Sequence, residues 1–258
     1  MPELPEVAAA LRRIRPALLA RRIRRVEPRH PAFAAALPAG HRRRVAGRRI
    51  VRLERRGKYQ LLHLDDGSTL LVHFRMTGDW RALPPAMPLP PHTRLVIHTD
   101  ADTRVAFVDP RALGTVTYHA SDAPPQLALG PEPLARGFTP AVLAAALATT
   151  RSAIKPALLD QRIVAGLGNI YAAEACWHAA LAPQRVASAL PPESITALVA
   201  AIKQVLRQAP AQRYQDQQGH DLWQVYDREG LPCTRCGTRV ARVTQSGRST
   251  YWCPGCQR

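Results

Sequence analysis

Long apolar runs and acidic residues are both scarce in this sequence. No apolar run reaches the length needed to cross a membrane, and the N-terminus lacks the apolar segment of a signal peptide. Against 36 lysines and arginines there are only 19 acidic residues, so the formal net charge is +17 at pH 7. An excess of this size implies a polyanionic partner or an anionic surface. Without a membrane span or a signal peptide, we expect a bacterial-type cytoplasmic protein.

Lysine is scarce as well, because arginine supplies nearly all of the positive charge. The only lysines are Lys58, Lys155 and Lys203. An arginine-rich solvated surface is an alternative that explains the choice of arginine, but not the net excess. Lysine can lose its proton when it is buried, whereas arginine cannot in practice. Lys58 and Lys155 are therefore candidates for chemistry or close contacts, and Lys203 is expected on a helix surface.

Cysteine is present five times, and its spacing is informative. Two Cys-x2-Cys pairs lie near the C-terminus, formed by Cys233, Cys236, Cys253 and Cys256. Two such pairs are typical of a zinc ribbon in which four thiolates surround one structural Zn²⁺ ion. Two disulfides are the alternative, which a reducing cytosol disfavours. Cys176 lies in an apolar helical run and is expected to be a buried small side chain.

The hydrophobic pattern predicts an α+β protein. Apolar residues at helical spacing predict a helix over 3–15, which Pro16 ends or kinks. Short β-rich runs follow from about 21 to 120, and a turn at 65–67 separates two of them. These runs predict an antiparallel β-sandwich, interrupted by a proline-rich loop at 82–92.

The second half of the sequence predicts helices and then a β-ribbon. Helices are expected to start at Thr139-Pro140, to cover about 153–161, and to run from Ile170 to about 180. The predicted domains are an N-terminal helix and β-sandwich (1–120), a linker (121–138), a helical domain (139–225) and a zinc-ribbon finger (226–258).

The first six residues, Met1-Pro2-Glu3-Leu4-Pro5-Glu6, predict a reactive N-terminus. Removal of Met1 leaves the secondary amine of Pro2, which titrates near neutrality and can attack a sugar carbon. Glu3 and Glu6 follow about one helical turn apart. The alternative is an ordinary helix start with proline and acids in its first turn.

This start and a series of motifs along the whole chain resemble the formamidopyrimidine-DNA glycosylase family. The motifs occur in the family's order: Arg56-Gly57-Lys58-Tyr59, His73-Phe74-Arg75-Met76-Thr77-Gly78, Asp109-Pro110-Arg111-Ala112-Leu113-Gly114, Leu129-Gly130-Pro131-Glu132-Pro133-Leu134, Ile154-Lys155-Pro156, Gly166-Leu167-Gly168-Asn169-Ile170-Tyr171 and Gly247-Arg248-Ser249-Thr250. The resemblance implies a monomeric, bifunctional DNA glycosylase and abasic-site lyase that acts on double-stranded damaged DNA in the bacterial nucleoid. It implies that 1–120 is the catalytic domain and that 139–225 is a helix–two-turn–helix DNA-binding domain. It implies a Schiff base on the N-terminal proline and β,δ-elimination.

The resemblance also implies a role for individual residues. The implied catalytic set is Pro2, Glu3, Glu6, Lys58 and Arg248. A second set is implied to contact DNA, with Met76, Arg111 and Leu113 as a wedge in the gap left by the extruded base: His73, Met76, His92, Arg111, Leu113, Arg151, Lys155, Asn169 and Tyr171.

Two departures from the family bear on which lesions are removed. Leu113 stands where the family commonly has phenylalanine, and the segment 210–222 is shorter than in members that excise 8-oxoguanine. Ring-opened bases are therefore expected to be better substrates than 8-oxoguanine. Alternatives are a catalytically silent damage-binding relative, an endonuclease VIII-like enzyme that prefers oxidised pyrimidines and, more distantly, a zinc-ribbon transcription factor.

Overall fold

The computed structural model describes residues 1–101, 103–209 and 222–258. These residues form two compact units, one over Met1–Leu127 and one from Ala128 onward. In the described part of the chain no helix is long and apolar enough to cross a membrane.

Unit 1 is a helix packed on two four-stranded antiparallel sheets, with strand orders β1-β6-β7-β5 and β2-β3-β4-β8. Its elements are α1 (Leu4–Leu18), β1 (Ile23–Pro28), α2 (Pro31–Ala36), α3 (Ala39–Val45), β2 (Ile50–Arg56), β3 (Tyr59–Leu64), β4 (Thr69–His73), β5 (Asp79–Leu83), β6 (Thr93–Thr99), β7 (Arg104–Val108) and β8 (Thr115–His119). One hydrophobic core contains side chains from α1 and from both sheets. The predicted antiparallel sandwich is thus confirmed.

Several local predictions in unit 1 were incomplete. Helix α1 does not end at Pro16 but continues to Leu18, because Ala17 and Leu18 extend its buried face. The short helices α2 and α3 lie inside the region predicted as strands. Helix α2 begins with proline at its first turn and is capped by His30, whose Nδ1 accepts from Ala32 N at 3.3 Å. Strand β5 overlaps the start of the predicted loop at 82–92.

Unit 2 contains helices followed by a β-hairpin, as predicted. Its elements are α4 (Pro140–Leu147), α5 (Ile154–Leu159), α6 (Asn169–His178), α7 (Pro192–Arg207), β9 (Ala241–Gln245) and β10 (Arg248–Trp252). Thr139 caps α4, since its hydroxyl accepts from Val142 N at 3.3 Å. Cys176 is fully buried in α6, as expected. Lys203 is half-buried, with its Nζ 5.8 Å from the centre of the Phe138 ring.

Candidate active site and nucleic-acid interface

The N-terminus of unit 1 is buried where α1 begins. Pro2, Glu3 and Glu6 are all buried. The backbone N–H of Glu3 donates to the Glu6 carboxylate at 2.8 Å, and the two residues form a capping box. Glu6 therefore serves the helix start, which was the alternative to a catalytic role, and it fixes the backbone that carries Glu3.

Burial makes the N-terminal amine less basic than usual. In the unprocessed chain this amine belongs to Met1, and its pKa is lowered from 8.0 to about 6. Burial is the main cause, Lys58 and Arg111 lower the pKa further, and Glu3 and Glu6 act in the opposite direction. The Met1 amine is thus largely uncharged at neutral pH, and an uncharged amine is the state that nucleophilic attack requires.

Lys58 lies in the turn between β2 and β3 and is only 5% exposed. Two residues later, the fully buried Gln60 ties α1 to the sandwich. Its Nε2 donates to Val7 O at 3.0 Å, and its Oε1 accepts from Trp80 Nε1 at 2.7 Å. Gln60 could not be recognised from the sequence, because both of its partners are distant along the chain.

His73 ends β4 and is held neutral. Its pKa is lowered to about 4, chiefly by burial and then by the charges of Arg75 and Lys58. Its Nδ1 accepts from the backbone N–H of Arg75 at 2.9 Å. Because Nδ1 is an acceptor, the ring proton is on Nε2, which leaves an N–H donor suited to an anionic oxygen.

Asp109 holds together the two loops that carry the predicted wedge. Its carboxylate accepts from the Thr77 hydroxyl and, at 2.7 Å, from Gly114 N. Thr77 Oγ1 in turn accepts from Arg111 N at 3.3 Å. Asp109 is completely buried, and its own N–H donates to His92 O at 3.0 Å. A single carboxylate thus connects the loop after β4 with the loop after β7.

The ring of Phe107 explains the glycine at the end of each loop. A Cβ added at Gly78 would lie 2.8 Å from this ring, and one added at Gly114 would lie 2.6 Å from it. These separations are shorter than any ordinary carbon–carbon contact. Both loops therefore need glycine here to approach the core so closely.

The predicted wedge residues lie on the surface of unit 1. Met76 is 37% exposed, Leu113 is 46% exposed, and Arg111 is exposed as well. His92 is also exposed and has a positive φ of 62°. Exposed apolar side chains are suited to insertion between bases when a buried residue, here Asp109, holds their loops in place.

In unit 2, Lys155 has a different environment from the one expected of a DNA contact. It is 1% exposed, and its Nζ donates to Asn169 Oδ1 at 2.6 Å, Thr250 Oγ1 at 2.7 Å and Ser249 O at 2.9 Å. These acceptors occupy its three protons. Lys155 therefore supports Asn169 and the β9–β10 hairpin from within rather than facing a phosphate.

Tyr171 also differs from the expectation. Its side chain is fully buried, and its ring makes an edge contact with Trp223 at 5.6 Å. A buried ring offers no surface to DNA, so the predicted side-chain contact is not supported. Nearby, the buried carboxylate of Glu174 accepts from the backbone N–H groups of Gln224, Val225 and Tyr226 at 2.9 to 3.0 Å. We did not predict this link, although a lone acid in the apolar run of α6 was a visible signal.

The four paired cysteines form one compact cluster. Their sulfur atoms lie within 4.8 Å of one another, with Cys233 and Cys256 at 3.8 Å and Cys236 and Cys253 at 3.4 Å. With Zn–S bonds of about 2.3 Å, a tetrahedral site has sulfur–sulfur edges of about 3.8 Å. The geometry therefore fits one structural Zn²⁺ ion with no open coordination position.

The surroundings of this cluster connect it to the rest of unit 2. Trp177 of α6 donates from Nε1 to Cys233 Sγ at 3.4 Å, and the Arg235 guanidinium lies 4.0 Å from the centre of the Trp177 ring. The hairpin turn at Ser246-Gly247, with φ of 48° and 72°, presents Arg248 as the first residue of β10.

Arg248 is exposed and lines a cavity of about 320 Å³, together with Ser152 and Asp160 among others. Arg151, the residue before Ser152, is exposed on the same loop. The prediction about the short segment 210–222 concerns residues that, up to 221, lie outside the described part of the chain.

Comparisons with known proteins agree along the whole chain. Family models match as "Formamidopyrimidine-DNA glycosylase N-terminal domain" over 1–116, "Formamidopyrimidine-DNA glycosylase H2TH domain" over 129–217 and "Zinc finger found in FPG and IleRS" over 230–258. The formamidopyrimidine-DNA glycosylase of Chloroflexus aggregans is 42% identical, with 100% of this chain and 98% of that protein covered. The one from Paracoccus denitrificans is 41% identical, with both chains covered completely.

Solved structures show the same fold. A structure of MutM in complex with DNA that contains carbocyclic 8-oxo-G has a TM-score of 0.90 at 30% identity, with 100% of both chains covered. A complex of the Lactococcus lactis enzyme with DNA that contains an oxidised pyrimidine has a TM-score of 0.89 at 31% identity, again over 100% of both chains.

Proposed function

The chain belongs to the formamidopyrimidine-DNA glycosylase family, and from this premise we propose how its residues carry out base excision. It is a base-excision-repair enzyme that removes oxidised or ring-opened bases from duplex DNA and then cleaves the abasic site as a lyase. The observation that carries the assignment of residues is the buried N-terminus beside Glu3, where burial lowers the pKa of the Met1 amine of the unprocessed chain to about 6.

We assign the nucleophile to the nitrogen of Pro2 after removal of Met1. Its lone pair attacks C1′ of the damaged nucleotide, and the bond from C1′ to the base breaks as the base leaves with a proton. Glu3 supplies a proton to O4′ as the sugar ring opens, which leaves an iminium ion between C1′ and the proline nitrogen. Burial lowers the pKa of the Met1 amine in the unprocessed chain, and we expect the same burial to favour the uncharged form of the Pro2 nitrogen.

Strand cleavage follows from the same iminium ion. The positive charge on nitrogen acidifies the C2′ proton, and its removal expels the 3′ phosphate in a β-elimination. Loss of a further proton expels the 5′ phosphate in a δ-elimination, and water then releases the sugar fragment from Pro2. Glu3 directly follows Pro2 in the sequence, so we assign the transfer of these protons to its carboxylate. Glu6 holds the backbone of Glu3 through the capping box.

We assign the handling of the extruded base to the loops of unit 1. Met76, Arg111 and Leu113 fill the gap that the base leaves in the stack, and Asp109 keeps their loops in register. His73 donates from the neutral Nε2–H to a phosphate oxygen, and Lys58 approaches the DNA backbone near the lesion.

In unit 2 we assign phosphate binding to Asn169, at the start of α6, and to the exposed Arg248. A helix N-terminus and a guanidinium both favour anionic oxygen. Lys155 acts through Asn169, because its own Nζ protons are already donated within the protein. We place the reaction on chromosomal DNA in a bacterial cytoplasm.

The experiment that tests the nucleophile is borohydride trapping on abasic DNA. Reduction of the iminium ion leaves a stable protein–DNA adduct, and peptide mapping should place it on the nitrogen of Pro2. The variant Pro2→Gly should lose most of the lyase rate, whereas Pro5→Gly, which changes the next proline of the same helix start, should keep most of it. Abasic DNA cleaved by Pro2→Gly at the wild-type rate, or an adduct mapped to another residue, would show that the assignment is wrong.

The same experiment separates the enzyme from a catalytically silent DNA-binding relative. A silent protein would bind abasic duplex and give no adduct under borohydride. Glu3→Gln separates the two chemical steps, because it removes the proton donor but leaves the amine. We expect this variant to lose base excision more strongly than cleavage of a preformed abasic site.

A further inference from the structure

A group of exposed arginines covers the end of unit 1 where α1 finishes. We call this group the arginine patch, and its members are Arg21, Arg22, Arg24, Arg25, Arg43, Arg44, Arg48 and Arg49. We propose that the arginine patch binds the phosphate backbone of a second segment of duplex DNA, separate from the duplex whose base is excised. This proposal goes beyond the excision reaction, in which the patch has no part.

Backbone pairing brings the members of the patch together. Ile23 N donates to Arg48 O at 2.8 Å, and Ile50 N donates to Arg21 O at 2.9 Å. The side chain of Arg22 reaches Gly47 O at 2.9 Å. The segments 21–25 and 47–50 therefore lie side by side, with the end of α3 immediately before the second segment. The charges share one surface because the backbone is fixed, not because they are neighbours in sequence.

A β-bulge turns two successive arginines toward one cavity. Side chains along a regular strand alternate between its faces, but the pairing of β1 with β6 shifts register between Ile23 and Arg25. Arg24 and Arg25 consequently both line a cavity of about 410 Å³, together with Arg104 of β7. The cavity also has the polar side chains of His98, Thr99 and Thr103 in its lining. Three guanidinium groups around one cavity suit an anionic ligand.

Ion pairs within the protein leave most of the positive charge of the arginine patch unneutralised. In the described residues, Arg21, Arg24, Arg43 and Arg44 form no ion pair or side-chain hydrogen bond. The acidic groups around the patch are few: Arg25 pairs with Glu27 at 3.4 Å and Arg48 pairs with Asp66 at 3.1 Å, while Asp65 and Asp100 lie on the paired segments. Arg43 and Arg44 lie in the last turn of α3, where the helix dipole favours cations. That explanation does not apply to Arg21 or Arg24.

The patch is remote from the reactive N-terminus. Glu3 precedes the first residue of α1, and Arg21 follows soon after its last residue. A helix of 15 residues is about 22 Å long. A duplex held at the N-terminus for excision is thus bound at the opposite end of α1 from the arginine patch. The patch therefore remains available for another segment of duplex.

Duplex DNA is the polyanion that fits the patch best. Its phosphates repeat about every 3.4 Å along each strand, so a row of guanidinium groups contacts several of them at once. The protein acts on DNA and therefore always works at a high local concentration of duplex. A second contact allows the protein to take hold of one segment before it releases the other, which speeds transfer between segments. An acidic polypeptide is the alternative that the test must distinguish.

The test measures the release of an undamaged, fluorescently labelled duplex from the full chain in the presence of unlabelled competitor duplex. With a second DNA surface, the release rate of the wild-type protein rises with competitor concentration, because the competitor binds before the first duplex leaves. The variant Arg24→Gln/Arg43→Gln/Arg44→Gln should lose this dependence. Its salt slope for competitor-driven release should be shallower by up to about 2.7, if each arginine contacts one phosphate.

Two further variants control for charge and folding. Arg12→Gln/Arg136→Gln/Arg207→Gln removes the same charge from exposed arginines outside the patch and should keep the wild-type dependence. Arg24→Lys/Arg43→Lys/Arg44→Lys keeps the charge and should also keep it. The excision rate on a short lesion duplex should be the same in all four proteins, which shows that each is folded.

Three outcomes overturn the proposal. Wild-type release that does not depend on competitor concentration shows that no second duplex binds. Equal dependence in the wild type and the patch variant places the second contact elsewhere. Release that is accelerated by poly-glutamate but not by duplex shows that the surface is specific for acidic polypeptide.

Discussion

Thr77 donates its hydroxyl hydrogen bond to Asp109, a residue 32 positions later in the chain. The other carboxylate oxygen of Asp109 accepts from Gly114 N. Because the carboxylate is buried and makes both bonds, neither loop of the wedge can shift without breaking a contact in the interior. The proposed wedge is therefore positioned by Asp109, a residue that does not itself reach the surface.

We expect Asp109→Asn to impair base excision more than abasic-site cleavage. Asparagine keeps only one acceptor oxygen, so its amide group faces either the Gly114 N–H or the Thr77 hydroxyl. The loss of one acceptor in this buried site costs about 1–3 kcal/mol. Extrusion of a base needs the wedge, whereas an abasic site has no base to extrude. Single-turnover rates should fall about tenfold or more on a lesion duplex and much less on abasic DNA. Asp122→Asn, at an exposed acid, is the matched control. Equal losses on both substrates would contradict a wedge-specific role.

The pH dependence of trapping should follow the N-terminal amine. Burial lowers the pKa of the Met1 amine from 8.0 to about 6 in the unprocessed chain, and the same surroundings should lower the pKa of the Pro2 amine. The rate of adduct formation should therefore rise with pH and level off before pH 8.0. Lys58 lowers this pKa, so Lys58→Met should move the midpoint to higher pH, whatever it does to the maximal rate. A midpoint that stays in place or falls would show that Lys58 does not act on the amine.

The lowered pKa of the N-terminal amine also predicts how the stability of the protein depends on pH. Unfolding restores the ordinary pKa near 8, so the unfolded chain takes up a proton that the folded chain resists. The free energy of unfolding should therefore decrease as the pH falls from about 8 to about 6. Acetylation of the N-terminal amine removes the titrating group, and the pH dependence in this window should flatten in chemical denaturation measurements. An unchanged slope would mean that other groups cause it.

Removal of zinc should weaken DNA binding before it affects unit 1. We expect one Zn²⁺ ion per chain, measured by atomic spectroscopy, and its loss frees the hairpin that presents Arg248 and the backbone of Ser249 that binds Lys155. Chelation should reduce affinity for damaged and undamaged duplex alike, because phosphate contacts do not read the base. The thermal transition of unit 1 should remain. A metal-free protein with full DNA affinity would exclude this structural role.

Lesion preference should depend on the exposed Leu113. A leucine lacks the flat surface with which an aromatic side chain stacks on a neighbouring base, so lesions that already stack poorly should be favoured. We expect formamidopyrimidine to be excised faster than 8-oxoguanine paired with cytosine, and Leu113→Phe to narrow the difference. Single-turnover rates on matched duplexes measure both. Equal rates for the two lesions in the wild type would contradict the prediction.

The sequence was most informative where the chemistry depends on neighbouring residues. The four cysteines, the proline at position 2 and the α+β order of elements were all visible because their signals are local. The contact between Thr77 and Asp109 was not, and neither was the bond from Gln60 to Val7, since each joins elements far apart in the chain. The short helices α2 and α3 have too few turns to show a helical period among their alanines and arginines.

The expectation for Lys155 differed from the structure for the same reason, because its partners are far away in the chain. The family resemblance implied that Lys155 contacts DNA, and the scarcity of lysine separately made it a candidate for chemistry or close contacts. Only the structure shows that its acceptors are Asn169, Ser249 and Thr250, two of which come from the ribbon almost a hundred residues later. A motif identifies a residue that matters, but its partners decide whether it faces a ligand or the interior.

Lys155 also bears on how this sequence can change over generations. Of the 36 lysines and arginines in the chain only three are lysines, and Lys155 is one of them. At position 155 the acceptors surround a tetrahedral ammonium at 2.6 to 2.9 Å, and a flat, larger guanidinium cannot reproduce that arrangement. The shape of this buried cation therefore requires lysine at position 155, although arginine supplies most of the positive charge in the chain.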